Sequence, residues 1–274
     1  MSLVLRTAAF TDIGLGRANN EDSAVAGPRL AVVADGIGGM PAGEQASAVV
    51  VRQLRLLDPD ATPASPLPDT TPSSPVMLPG PYPAEAPTVR ILTAETPSEP
   101  VAALRDAVAT ANRTIRELID HDESTEAMGT TVTAILLAGD QVGLVHVGDS
   151  RAYLLHGGKF EQITRDDTYV QTLIDEGLIT EMDARSHPRR SVVMQAVQGL
   201  GYDPSTSVRM AAPGDRYLLC SDGLTDVVGD EAIHNALEME PDPARCAQIL
   251  VRAALQAGAP DNVTVIVADV MVRP

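Results

Sequence analysis

Four strand-length apolar runs in this chain meet an aspartate flanked by a small or polar residue, and that recurrence constrains the fold more than any other feature. Ala31-Val32-Val33-Ala34 ends at Asp35-Gly36, Leu144-Val145-His146-Val147-Gly148 at Asp149-Ser150, and Tyr217-Leu218-Leu219-Cys220-Ser221 at Asp222-Gly223. In the fourth case the acid comes first, as Asp261-Asn262 ahead of Val263-Thr264-Val265-Ile266-Val267. An acid at the tip of a buried strand is held rigidly and half desolvated. Several of them converging on one end of a sheet repel one another, and the remedies are protonation or bound cations. Taken singly, each Asp-Gly reads as turn chemistry. Yet Asp35-Gly36 leads through Gly38-Gly39 into a helical pattern, and Asp222-Gly223 leads into another helical stretch, so neither closes a two-residue hairpin.

Strand signals fall at 30–34, 131–137, 141–147, 151–155, 216–220 and 263–267. Gly139-Asp140, Gly157-Gly158 and Pro213-Gly214-Asp215 supply turns of the kind that joins neighbouring antiparallel strands. Helical spacing of Ala42, Ala46, Val49, Val50, Leu54 and Leu57 predicts one helix. Val101, Leu104, Val108, Ala111, Ile115 and Leu118 predict a second, opened by Ser98 and Pro100. A third stripe, Ala247, Leu250, Val251 and Ala254, stops at Gly258. Successive strands with helices grouped before and after predict an α+β fold, antiparallel sheet covered by helices, rather than βαβ alternation.

The prolines mark one discontinuity: 12 of the 21 lie in residues 59–100, where Gly80 is the single glycine. This stretch reads as an extended, mobile surface insertion within one domain spanning 1–274. The polar run 165–191, with a short helical pattern at 169–177, reads as a small insertion over the sheets.

Charge then narrows the partners. Lys and Arg number 20 against 37 Asp and Glu, a formal −17, and no basic run interrupts the acidity. Nucleic acid and anionic membrane surfaces are repelled by such a chain. Its longest apolar stretches are strand-sized, predicting no membrane insertion, and the N-terminus lacks a signal-peptide core. Cys220 and Cys246 sit far apart without metal-type spacing, which suits a reducing, cytoplasmic compartment. With 3% aromatic residues and no Trp, the core falls to Val, Leu, Ile and Ala.

The acids are oxygen-only donors, and the five histidines are scattered, so the pattern favours Mg²⁺ or Mn²⁺ over zinc. Arg17-Ala18-Asn19-Asn20-Glu21-Asp22 precedes the first of the four strands. Beside a metal pair, Arg17 is suited to gripping a phosphoryl group, while Glu21 and Asp22 suit metal-bound waters. His146, alternating with apolar neighbours, serves packing or proton transfer. A dinucleotide loop at Asp35-Gly36-Ile37-Gly38-Gly39 fails on spacing, since Pro41 stands where a third glycine is required.

Six motifs now stand in order: Arg17 to Asp22, Asp35 to Gly39, Gly129-Thr130-Thr131, Val147-Gly148-Asp149-Ser150-Arg151, Ser221-Asp222-Gly223-Leu224-Thr225-Asp226, and Asp261-Asn262-Val263-Thr264. In order and spacing they resemble the metal-dependent serine/threonine protein phosphatases, the type 2C or PPM family. The likeness is strongest to bacterial catalytic domains opposing receptor-like serine/threonine kinases, particularly actinobacterial ones. It covers nearly the whole chain outside residues 59–100.

The resemblance implies a four-layer αββα sandwich, two antiparallel sheets flanked by helices, with a dinuclear site at one edge. It implies hydrolysis of phosphoserine and phosphothreonine by a water bridging two Mn²⁺ or Mg²⁺ ions. Asp35 would bridge the two ions, with the Gly36 carbonyl on the second; Asp222 and Asp261 would complete the first. Asp149, with Asp222, would hold a weaker third ion. Arg17 would bind the substrate phosphate, and Glu21 and Asp22 would act through metal-bound water. Residues 165–195 correspond to a flap subdomain that influences substrate choice. Implied partners are phosphorylated proteins, serine/threonine kinases among them, met as a cytoplasmic monomer or as the cytoplasmic part of a longer membrane-anchored protein. A catalytically inactive phosphoprotein-binding scaffold of the same fold is the alternative, although that reading predicts a missing ligand. In many eukaryotic members a histidine follows the Asp-Gly as proposed general acid. Here Ile37 stands there, and leaving-group protonation falls to water or another group.

Overall fold

The computed structural model describes residues 2–37, 41–68, 98–122, 125 and 127–273. Two six-stranded sheets form the frame. The first runs β11 (Lys159–Gln162), β10 (Arg151–His156), β13 (Arg216–Cys220), β14 (Val263–Val272), β1 (Leu3–Asp12) and β6 (Ser65–Pro66). The second runs β12 (Ser205–Met210), β9 (Gln141–Val147), β8 (Val132–Ala138), β3 (Leu30–Ala34), β2 (Ser23–Ala26) and β5 (Thr62–Pro63). Every neighbouring pair is antiparallel except β1 with β6. A two-residue ladder, β4 (Gly36–Ile37) with β7 (Gly129–Thr130), stands apart.

Successive side chains on a strand point to opposite faces, and here each face finds a different core. On β13, Tyr217 and Leu219 join Ala31, Val33, Ile135, Leu144 and Ile266 between the sheets. Leu218 and Cys220 of the same strand face outward with Ile233, Leu250, Val251 and Val265, under α6 (Asp230–Met239) and α7 (Pro243–Gln256). On β3 the division repeats: Leu30, Val32 and Ala34 turn outward to Leu54, Leu104, Val108 and Ile115, under α1 (Pro41–Arg55) and α2 (Glu99–His121). Both faces of both sheets are thus covered, which explains why the strands read as near-continuous apolar runs. The result is the four-layer αββα arrangement, with an aliphatic core as the composition requires.

Most predicted elements are found within a residue or two, and the exceptions are informative. β14 continues to Val272, past the expected 267. β1, β2, β11 and β12 escaped the strand reading, as did the two-residue β4, β5, β6 and β7. β1 carries Arg6, Thr7 and Thr11 among small residues, and its pairing is supplied by β14 from the far end of the sequence. Gly139-Asp140 and Gly157-Gly158 do join neighbouring strands, but Pro213-Gly214-Asp215 does not: it carries the chain from β12 in one sheet to β13 in the other.

Residues 69–97 of the proline-rich stretch lie outside the described residues, as do Gly38 and Gly39. Its described beginning is no featureless loop, because β5 pairs with β2 and β6 with β1, one on each sheet. At its other end Ser98 is the N-cap residue of α2, with proline in the first turn. The 165–191 run contains α3 (Tyr169–Asp175) and α4 (Glu181–Arg185), each begun by a threonine side chain that accepts a backbone N–H. Asp167 anchors this segment: the Gly148 N–H donates to its Oδ2 at 3.0 Å, and its own N–H donates to the Gly148 carbonyl at 2.7 Å.

Candidate active site

Topology brings the four aspartates to one end of the sandwich. β3 and β9 both pair antiparallel with β8, so they run in the same direction and deliver Asp35 and Asp149 at the same end. In the facing sheet β13 ends beside the start of β14, which places Asp222 next to Asp261. Asp222 opens the short helix α5 (Asp222–Thr225).

Each acid is seated by its neighbours. The Asp35 N–H donates to Thr131 Oγ1 at 3.0 Å, and its carbonyl accepts from the Thr131 N–H and the Thr130 hydroxyl, both at 2.8 Å. Asp149 follows Gly148, whose φ of +104° and closeness to the Thr131 side chain exclude a larger residue. The Ser221 hydroxyl donates to Asp22 Oδ2 at 2.8 Å and accepts from the Thr264 N–H at 2.9 Å. Asp22 thereby joins the cluster from the other side of the cleft. Glu21 is buried against Gly36 and Gly43, with Asn19 Nδ2 donating to its Oε1 at 3.0 Å.

Burial is the first cause of the unusual acidities, and mutual repulsion the second. The Asp35 carboxyl is pushed well above the usual carboxylate range by burial, then by the charges of Asp22, Asp222, Asp149 and Asp261. Asp222 is pushed well up by burial, then by Asp149, Asp226, Asp261 and Asp22. Asp149 rises to about 7 through burial and the fields of Asp166 and Asp226. Asp22 rises to about 6 through burial, with Asp261 adding repulsion and the Thr264 and Ser221 contacts opposing it. Buried Asp22 Oδ1 and Asp222 Oδ1 have no hydrogen-bond partner among the described residues.

This donor set fits a hard divalent cation. Charged oxygens with unused lone pairs face one another where a cation would relieve both desolvation and repulsion. Among the described residues no group of three or more His, Cys, Asp or Glu side chains is gathered to hold an ion unaided. An ion here would complete its shell with the backbone oxygen of Gly36 and with water, the habit of Mg²⁺ and Mn²⁺ rather than zinc.

Arg17 stands at the mouth, 44% exposed, with Nη2 donating to Asp261 Oδ2 at 2.5 Å. That bond, more than any other influence, holds its guanidinium firmly protonated. Beside the cleft lies a cavity of about 230 Å³ lined by Asp149, Arg151, Asp166, Asp222, Asp226 and Arg190, so the segment containing α3 and α4 overlooks the acids.

A scan of protein families matches the protein phosphatase 2C model over residues 18–259. The chain belongs to the protein phosphatase 2C family. It is 47% identical over 271 residues to the serine/threonine protein phosphatase PstP of Mycobacterium tuberculosis, covering 99% of this chain and 46% of that protein. The chain therefore spans about half the length of that relative. It is 31% identical to the serine/threonine phosphatase stp of Listeria monocytogenes, covering 94% of this chain and 93% of the relative. Among solved structures, PstP from M. tuberculosis superposes with a TM-score of 0.82 at 46% identity, covering 98% of this chain and all of that one. The catalytic domain of PstP in complex with two manganese ions gives 0.81 at 45% identity, covering 99% and 100%.

Within this 2C-family fold other expected roles resolve. Cys220 is fully buried and its thiol is pushed up to about 12 by that burial, so it packs rather than attacks. His146 is buried too, with Nδ1 against the Thr133 hydroxyl at 2.9 Å and Nε2 against the Arg165 carbonyl at 3.0 Å. Burial lowers its pKa, and both nitrogens are occupied structurally. Two residues quoted within the motifs had no role assigned from the sequence. Asp226 lines the cavity, and Asn262 clamps the Arg17 loop: its Nδ2 donates to the Ile13 and Asn19 carbonyls at 2.9 Å, and its Oδ1 accepts the Glu21 N–H at 2.8 Å. Only the position of Asn262 beside Asp261 signalled it.

Proposed function

We propose that this chain hydrolyses phosphoserine and phosphothreonine in proteins, acting as a phosphoric monoester hydrolase with two Mn²⁺ or Mg²⁺ ions. The observation that carries this reading is the meeting of Asp22, Asp35, Asp149, Asp222 and Asp261 at one end of the sandwich, with unused buried oxygens and an arginine at the mouth. Asp35 and the Gly36 carbonyl would hold one ion, and Asp35, Asp222 and Asp261 the other. Asp149 with Asp222 would hold a weaker third, and Glu21 and Asp22 would act through water. When bound, the ions supply positive charge to a transferring phosphoryl group and acidify water.

The chain's own residues do the rest. Arg17 offers the substrate phosphate its remaining N–H donors, aligned by the Asp261 contact. The carboxylates, ionised where cations offset their repulsion, would fix the positions of those cations and through them where the phosphoryl group rests. Leaving-group protonation falls to water or another group, because Ile37 occupies the position after Asp35-Gly36.

An inactive scaffold would be free to lose a ligand, and none of the expected acids is missing. Residues 1–274 act as one catalytic domain on this reading, with 59–100 as an insertion and 165–195 as a flap over the cleft. Partners are phosphoproteins, serine/threonine kinases among them, engaged by a monomer in the cytoplasm. Among the described residues no helix is long and apolar enough to cross a membrane. The test is hydrolysis of a phosphothreonine peptide with and without Mn²⁺, alongside Asp222→Asn. Turnover without divalent metal, or an unaffected variant, would sink the proposal.

A further inference from the structure

Leu15 lies two residues before Arg17 and is 69% exposed, the single large apolar side chain among residues 14–19. A single exposed leucine needs no explanation by itself. This one sits on tightly constrained backbone. Its N–H donates to the Ala259 carbonyl at 2.8 Å. On either side, Gly14 (φ +74°) and Gly16 press so closely on the 259–261 backbone that a Cβ would stand 2.0 Å from the Asp261 oxygen and 2.3 Å from the Pro260 oxygen. Asn262 fastens the same loop at Ile13 and Asn19. The backbone is thus pinned before, at and after Leu15, and the leucine side chain opens to solvent two residues from the arginine at the cleft mouth.

Pre-organisation of this kind lowers the entropic cost of a contact and so favours a binding surface over a chance exposure. Leu15 and Arg17 are separated along the backbone by at most about 7 Å, the reach of one or two residues of an extended peptide. A phosphate held by Arg17 therefore leaves the side chains of neighbouring substrate residues within reach of Leu15. We propose that Leu15 is a specificity-determining residue that packs against a large apolar side chain within two positions of the phosphothreonine. The proposal rests on the phosphatase reading above and names part of its substrate class.

The test compares Mn²⁺-loaded wild-type chain with Leu15→Ser and Leu15→Met on phosphothreonine peptides of otherwise constant sequence, carrying Leu or Ser at each position from two before to two after the phosphoresidue. At one of those positions the wild type prefers Leu by about tenfold in kcat/KM, the scale expected of one partly buried aliphatic contact. The preference falls to near one in Leu15→Ser and persists in Leu15→Met. A flat profile in the wild type, or an unchanged preference in Leu15→Ser, overturns the assignment while leaving the phosphatase reading intact. Absence of turnover by the wild type on every peptide overturns both.

Discussion

The two ends of the β13–β14 pair each carry an arginine–aspartate contact, and the ends are built on opposite plans. At one end Arg216 is nearly buried. Its Nε and Nη2 hold Asp269 at 2.6 and 3.0 Å, Nη2 also donates to the Pro241 carbonyl at 2.8 Å, and Nη1 donates to the Leu237 and Glu240 carbonyls. All five guanidinium donors are spent inside the protein. At the other end, among the described residues, Arg17 spends one bond on Asp261, and Asp22 and Asp222 keep a buried oxygen without a partner. The first end settles its electrostatics internally; the second leaves them to be settled by something that arrives from outside.

That contrast breaks first at Asp222. Asp222→Asn is expected to cut Mn²⁺-dependent kcat by about a hundredfold to a thousandfold, the scale of removing a group that organises transition-state charge. Its metal-free form should melt no lower than the wild type, because the amide needs neither the proton nor the buried charge that the Asp222 carboxyl must carry among its acidic neighbours. A lower melting temperature in EDTA would make Asp222 a structural residue and erase the distinction between the ends. At the other end, Arg216→Leu strands Asp269 and three carbonyls. It should cost about 3 to 5 kcal/mol, a fall in Tm of roughly 10 °C, with kcat per folded molecule retained. Loss of activity in protein that is still folded at the assay temperature would show that the two ends communicate.

Arg17→Lys sharpens the comparison in the reverse sense. KM for a phosphothreonine peptide should rise by about tenfold, since a point charge replaces a planar fork. Tm should stay within about 2 °C, because an exposed pair contributes only about 0–1 kcal/mol. A large Tm loss would contradict the open plan of that end. The smallest effect is a slope with pH. The folded-state values of Asp22 and Asp149, about 6 and about 7, lie above the ordinary 3.8. The folded protein therefore holds those protons more tightly, so its stability is greatest below pH 4 in this respect and declines as pH rises towards 7. In EDTA the Tm should fall by a few degrees across that window, and saturating Mn²⁺ should flatten or reverse the fall. Parallel curves with and without Mn²⁺ would argue that no ion meets these carboxylates.

The open end was far more legible in the sequence than the closed one, for physical reasons. Asp35, Asp149, Asp222 and Asp261 each bound a local apolar run, and a run of five residues is readable without its partners. Arg216 also sits in such a run, but the carbonyls that saturate it belong to residues 237–241, and nothing local announces them. Asn262 clamps residues more than 240 positions away. β1 failed for a related reason: its identity as a strand comes from β14 rather than from its own alternation. The turn at Pro213-Gly214-Asp215 shows the same limit, since turn chemistry states that the chain reverses but not which sheet receives it.

The position of β14 has a consequence for biosynthesis. It lies inside its sheet, between β13 and β1, although the chain reaches it only after all the other strands. A ribosome-bound chain that has not yet released residues 263–272 possesses Asp35, Asp149 and Asp222 but cannot unite the two halves of that sheet, and Asp261 has no strand to seat it. Such long-range closure is slow compared with helix or hairpin formation. The nascent protein therefore passes through a period in which three of its four strand-tip acids exist without a common floor, and on the phosphatase reading competence would arrive with β14 rather than grow with length.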